Sequence, residues 1–142
     1  NQAVEAFDAE EVPVGAVIVR GDELIGAAHN EVNRTNDPTA HAEILAITQA
    51  SNIVGDWRLN QCTLYVTKEP CPMCAGALVM GRMGRVVYAV EGPKMGYLGG
   101  AVDVNATPTN NHKLIVEKGV MEVECRNILQ SFFAKKRIVK TK

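Results

Sequence analysis

The sequence predicts an α/β fold in three layers: a mixed central sheet of about five strands flanked by helices. β-rich runs alternate with helical stretches along the chain. Two of the runs, Cys62 to Thr67 and Arg85 to Val90, are nearly continuous apolar segments of the kind that helices bury on both faces. The first two runs are joined by Gly21-Asp22, a short turn that suits an antiparallel hairpin.

The elements follow in order. Ala3, Val4 and Phe7 make the apolar face of a short first helix. Val12 to Arg20 is β-branched and mostly apolar, and Leu24 to His29 pairs back on it. Glu31 to Asp37 is polar and reads as loop. Asp37-Pro38 supplies an N-cap and a first-turn proline, so a helix is expected from there to about Ser51, with His41 in its first turn. Ile44, Leu45 and Ile47 would be its core face. A connection from Gly55 to Asn60 carries the only tryptophan, Trp57. A second helix is expected from Pro72 to about Met80, ended by Gly81 and Gly84. Gly, Pro, Asn and Thr crowd the stretch from Glu91 to Asn111, which predicts a long surface loop near the site and a short strand at Leu114 to Val116. The last helix, about Glu124 to Ile138, turns Ile128, Leu129, Phe132 and Phe133 inward. Residues 1–142 hold no internal repeat or linker and read as one domain.

Composition excludes several classes. The 142 residues are 46% hydrophobic and 22% charged, a globular balance, and no apolar run approaches the roughly 20 residues of a membrane span. A net charge of −1 gives no global footprint for nucleic acid. The charge is unevenly placed, however: Glu5, Asp8, Glu10 and Glu11 crowd the start, and Lys135, Lys136, Arg137, Lys140 and Lys142 close the chain without an acid. Four cysteines in a chain of this length make no disulfide framework, which favours a reducing, cytoplasmic compartment. Cys62 and Cys125 are expected to be inert, buried thiols.

The chemistry is concentrated in two short pieces, His41-Ala42-Glu43 and Glu69-Pro70-Cys71-Pro72-Met73-Cys74. One imidazole and two thiolates leave a tetrahedral zinc ion an open position, so a coordinated water can be polarised near neutral pH. A closed structural site would want a fourth ligand. Glu43 is too near His41 in sequence to be a comfortable co-ligand, but it can reach that water and move its proton. Cys71 and Cys74 are three apart and share a helix face, and Pro72 suits the first helical position. Cys71 then sits where the helix dipole favours thiolate. Taken singly, each residue reads as structural: two buried thiols, a core histidine, a surface acid. The joint pattern H-x-E with P-C-x-x-C selects a zinc-dependent deaminase, in which a base is taken out of its stack before reacting.

Nearly the whole chain resembles the bacterial tRNA adenosine deaminases of the cytidine/deoxycytidylate deaminase superfamily. The resemblance runs through Glu11 to Val17, Asp37 to Glu43, Leu64 to Thr67, Pro70 to Ala77, Gly84 to Tyr88, and Phe132-Phe133. It implies a cytidine deaminase-like fold, Zn2+ held by His41, Cys71 and Cys74, and Glu43 as proton shuttle. It also implies that Asn30 hydrogen-bonds the purine, that Val12 and Ala42 wall the base pocket, and that Phe133 lies near the bound nucleotide. Lys135, Lys136 and Arg137 resemble the basic end that approaches the anticodon backbone. The partner implied is a tRNA anticodon loop or other single-stranded nucleic acid, bound by a homodimer. From the residues alone, Asn30 equally reads as a structural loop residue, Val12 and Ala42 as core, and Phe133 as a helix core position.

Two departures stand out. Lys68 replaces the usual Leu before Glu69, and Gly92 stands where the family carries an Asp near the substrate sugar, with Glu91 one place early. Loss of that acid weakens a contact that tells ribose from deoxyribose, so a variant retuned for deoxyadenosine in single-stranded DNA is an alternative. A small-molecule guanine or cytidine deaminase is another. A silent partner subunit is the third, and retention of Glu43 speaks against it.

Overall fold

The computed structural model describes the backbone of residues 1–140 and the side chains of residues 1–135. In chain order the elements are α1 Gln2–Asp8, β1 Gly15–Arg20, β2 Glu23–His29, α2 Val32–Thr35, α3 Ala42–Val54, β3 Cys62–Lys68, α4 Pro72–Met80, β4 Arg85–Val90, β5 Ile115–Lys118 and α5 Glu122–Lys140. A single 3-10 turn at Val104–Ala106 interrupts the connection between β4 and β5.

The sheet has five strands in the order β2-β1-β3-β4-β5. β1 pairs antiparallel with both β2 and β3, whereas β3, β4 and β5 run parallel, so the sheet is mixed and open, as expected. The hairpin turns at Gly21, whose φ of +60° falls where an L side chain is strained. β4 is buried almost throughout, but β3 alternates, with Leu64 fully buried and Tyr65 38% exposed. The face of the sheet bearing Tyr65 is therefore only partly covered, against the expectation of two buried faces.

α3 departs from the sequence reading in two ways. It starts at Ala42, not Pro38, because Asp37 is already satisfied by the Thr39 N–H and hydroxyl at 2.8 and 2.7 Å in a local turn. The residues facing the sheet are Ala42, Ala46 and Ala50, all 0% exposed, while Ile44, Leu45 and Ile47 are only half-buried. The cause is Gly26 on β2, where an added Cβ would lie 2.8 Å from the Ala46 carbonyl oxygen. Such close approach leaves room only for methyl side chains on that helix face.

On the opposite side, α1 and α5 pack on each other through Phe7 and Phe132, edge to face at 6.2 Å. Ala6 is the fully buried residue of α1, and Val4, expected inward, is 51% exposed. Phe133, likewise expected inward, is 42% exposed, since Leu129 and Phe132 already occupy the inner stripe of α5. The stretch expected as surface loop between β4 and β5 is partly interior. Leu98 joins the core, and Asn105 donates to the Leu114 carbonyl and accepts from the Leu114 N–H, both at 2.8 Å, fixing the entry to β5.

Candidate active site

Two helix starts meet at one end of the sheet. His41 is the N-cap of α3 (φ −78°, ψ 148°) and Cys71 the N-cap of α4 (φ −73°, ψ 175°), so extended backbone delivers both side chains just ahead of their helices. Pro72 begins α4, and Cys74 lies one turn in and is fully buried. The α3 start is fixed from β2: Asn30 Oδ1 accepts the Ala42 N–H at 2.9 Å, and the Glu31 N–H donates to the Ala40 carbonyl at 2.9 Å.

These constraints bring together the three residues expected to hold metal. His41 Nδ1 lies 3.6 Å from Cys71 Sγ and 3.5 Å from Cys74 Sγ, and all three donor atoms fall within 4.8 Å of one another. A tetrahedral zinc with Zn–S near 2.3 Å and Zn–N near 2.05 Å sets nitrogen and sulfur about 3.6 Å apart, so the donor set fits that ion in both chemistry and spacing. No disulfide competes, because all four cysteines are free. Cys62 is buried as expected, and Cys125 is half-buried.

The protein groups of the pocket lie close enough to shift one another's protonation. Hydrogen bonding to Cys74, helped by His41, holds the Cys71 thiol down to about 4, while the same bond and burial push Cys74 upward. Hydrogen bonding to Cys71 raises His41. Burial raises Glu43 from 4.5 to about 7, against the opposing pull of His41. Glu43 is 4% exposed on the first turn of α3, and its Oε1 is buried with no hydrogen-bond partner among the described residues. A buried carboxyl oxygen left unpaired costs stability unless something arrives to use it.

The remaining candidates divide. Ala42 is fully buried at the first position of α3, beside the triad, and Asn30 is anchored next to it through Oδ1. Val12 is half-buried against the common core, on the segment where Glu11 accepts the Asn33 and Arg34 N–H groups and so caps α2. Phe133 stands edge-on to Phe132 at 5.5 Å. Lys135 Nζ lies 5.7 Å from the Phe7 ring centroid. The side chains of Lys136 and Arg137 lie outside the described residues. Lys68 is half-buried at the end of β3, with its Cε 3.7 Å from where a Cβ on Gly92 would stand.

Sequence reasoning gave Glu69 no role, yet it is 4% exposed and accepts three backbone N–H groups, from Gly92, Leu98 and Gly100 at 3.0, 2.7 and 2.8 Å. The legible signal was an acid at the end of a buried strand, followed downstream by a glycine-rich loop.

Comparison with known proteins agrees with this geometry. Residues 1–137 match the family described as MafB19-like deaminase. The chain is 43% identical over 137 residues to the tRNA-specific adenosine deaminase of Bacillus subtilis (strain 168), covering 96% of this chain and 85% of that protein. A solved structure from a study of A-to-I editing by tRNA:A34 deaminases superposes with a TM-score of 0.84 at 39% identity, covering 90% of this chain and 93% of the other. A guanine deaminase from Bacillus subtilis is 44% identical, but over 63% of this chain and 58% of its own, with a TM-score of 0.60. Of these two structures, the tRNA deaminase matches over the greater share of both chains and superposes more closely. By sequence, by fold and by the meeting of its two helix starts, the chain belongs to the tRNA-specific adenosine deaminases, zinc-dependent hydrolases of the deaminase superfamily.

Proposed function

We propose that this chain converts the wobble adenosine of a tRNA anticodon loop to inosine by hydrolytic deamination, with zinc held by His41, Cys71 and Cys74. The observation that carries the reading is the buried, unpartnered Glu43 Oε1 beside those three donor atoms. Zinc at that position supplies Lewis acidity, which lowers the pKa of a water toward neutrality. Glu43 does the proton work. Its carboxyl takes a proton from the attacking water and gives it to the ring nitrogen next to the reacting carbon. The C–O bond forms first, as the ring C=N bond becomes single; the same carboxyl then passes the second water proton to the exocyclic amine, and the C–N bond breaks to leave a carbonyl and ammonia.

Asn30 orients the base. Its Oδ1 is held by the Ala42 N–H, and its Nδ2 has no partner among the described residues, so the donor is free for a purine acceptor. Ala42, fully buried at the start of α3, backs the base pocket rather than touching the base. The reacting carbon is unreachable inside a duplex, so the substrate base is flipped from a loop or single strand. Phe133, half-exposed on α5, is available to stack near the nucleotide, and Lys135, Lys136 and Arg137 are placed by sequence to meet phosphate. We assign the working unit as a homodimer with the loop lying across both subunits, acting in the cytoplasm. No helix among the described residues is long and apolar enough to cross a membrane.

One observation favours a second substrate. Glu91, exposed at the surface, pairs with Lys118 at the end of β5, an interaction that competes with its standing in for the acid missing at Gly92. Discrimination against deoxyribose is therefore expected to be weaker than in relatives that carry the acid. The test is inosine formation by zinc-loaded protein on an anticodon stem-loop in RNA, the same sequence in DNA, and free adenosine and guanine. Product on RNA supports the reading. Comparable product on DNA means relaxed sugar choice, and turnover of free bases or nucleosides at the stem-loop rate would replace the proposal with a small-molecule deaminase.

A further inference from the structure

We infer that Glu69 is a positioning residue, acting through the loop from Gly92 to Gly100 to hold the rim of the site in register with Cys71; the inference rests on the nucleic-acid reading above. Three features of the loop converge on one carboxylate. Oε1 takes the Gly92 N–H, and Oε2 takes those of Leu98 and Gly100. All three contacts are donated to the acid, a load that an acceptor-only carboxylate carries and an amide cannot. The loop is also shaped around it. A Cβ on Gly96 would come within 2.6 Å of both carboxylate oxygens, and one on Gly100 within 2.5 Å of Oε1.

The clasp reaches the metal ligands through one peptide. The Tyr97 N–H donates to the Pro70 carbonyl at 2.9 Å, and the Glu69 N–H donates to the Val90 carbonyl at 2.8 Å. Loop, end of β4 and entry to Cys71 thus form one hydrogen-bonded unit. Its outer residues, Lys94 and the 60% exposed Met95, are offered to whatever approaches the site. Glu69 itself is buried and touches no substrate, so its influence falls on how well the rim is placed for a polynucleotide.

Glu69→Gln keeps the shape but turns a donor toward at least one of the three N–H groups. Gly96→Ala attacks the same clasp from the other side. Thr67→Val serves as a control, since it removes the buried pair of hydrogen bonds between Thr67 and Gly15 without touching the loop. In zinc-loaded protein, Glu69→Gln and Gly96→Ala should each raise KM for the RNA stem-loop about tenfold or more, with kcat within about threefold and the metal-to-chain ratio unchanged. The double variant should be no worse than either single one, and Thr67→Val should lower thermal stability with KM unmoved. An unchanged KM, a fall in kcat alone, or additive losses overturns the inference. If the parent protein fails on every nucleic acid, the functional reading has failed instead. Amide hydrogen exchange then still decides whether Glu69 holds the loop: exchange at Gly92, Leu98 and Gly100 must quicken at least tenfold in Glu69→Gln and not in Thr67→Val.

Discussion

The two faces of the sheet are built to different tolerances. On the α3 and α4 side, Ala42, Ala46, Ala50, Cys74 and Ala75 are all 0% exposed, and the helix backbone lies against Gly26. On the α1 and α5 side a hollow of about 430 Å³ opens among Val17, Leu24, Tyr65, Val87 and Met121, with Leu24 60% and Met121 64% exposed. Every proposed metal ligand, and Glu43, proposed as the proton shuttle, stand on the tight face. Close packing removes rotamer freedom and backbone give, so it is what holds three donor atoms within reach of one ion. The loose face carries no such demand.

The difference can be broken most sharply at Glu43, where the tight face tolerates a buried carboxyl with one oxygen, Oε1, left unpaired. Glu43→Gln should lower turnover by about 10³-fold, within the range for loss of a general acid-base group. The same change should stabilise the metal-free protein. A folded-state value raised from 4.5 to about 7 means stability present at low pH and lost as pH rises through that window. Above pH 7 the loss amounts to up to about 3 kcal/mol, and it is absent in Glu43→Gln. Calorimetry in chelator at pH 4 and pH 8 checks this: equal stabilities of variant and parent at pH 8 would mean that the acid is not strained at all. The next effect tests the packing itself. Gly26→Ala should cost about 2–3 kcal/mol, because the methyl meets a carbonyl oxygen of α3 and the helix has to move. A loss in urea titration below about 0.5 kcal/mol would show that the helix gives easily.

What the sequence made legible follows the same division. The strands and the hairpin pairing of the first two could be read because β-branched runs and a two-residue turn are local signals, and the cluster of His41, Cys71 and Cys74 because motif spacing is local too. The start of α3 was not legible. It is set by Asn30, twelve residues upstream, which caps Ala42 and lets His41 stand ahead of the helix rather than in it. Nor was its alanine stripe, since the larger Ile44, Leu45 and Ile47 make the stronger apolar pattern and only the missing Cβ of Gly26 reverses the choice. Glu69 stayed hidden for a further reason: its partners are backbone N–H groups 23 to 31 residues away, which every residue but proline possesses and no sequence pattern advertises. Phe133 shows the converse error, an aromatic assigned inward by periodicity on a helix whose inner stripe was already full.

Asn30 sharpens the comparison at smaller scale, because the side chain that caps α3 is also the one proposed to hold the base. Asn30→Asp keeps an acceptor for the Ala42 N–H and removes the free donor. It should leave stability within about 0.5 kcal/mol while lowering kcat/KM by about 10- to 100-fold, the cost of an unmade hydrogen bond to the base. Asn30→Ala should lose in both assays. Equal activity in Asn30→Asp and the parent would confine Asn30 to capping.

The smallest effect belongs to the loose face. Leu24→Thr removes an exposed apolar side chain from β2 at the edge of the hollow and substitutes a β-branched one suited to a strand. The change should cost about 0.5 kcal/mol or less and leave deamination untouched, in contrast to Gly26 two residues along the same strand. Two residues of one strand would then differ several-fold in cost because the bulge between them points one under a helix and the other into the hollow. A loss above about 2 kcal/mol in Leu24→Thr, growing as protein concentration rises, would overturn that explanation. Burial of Leu24 by a second copy would be the cause, and the loose face would be an interface with a packing demand of its own.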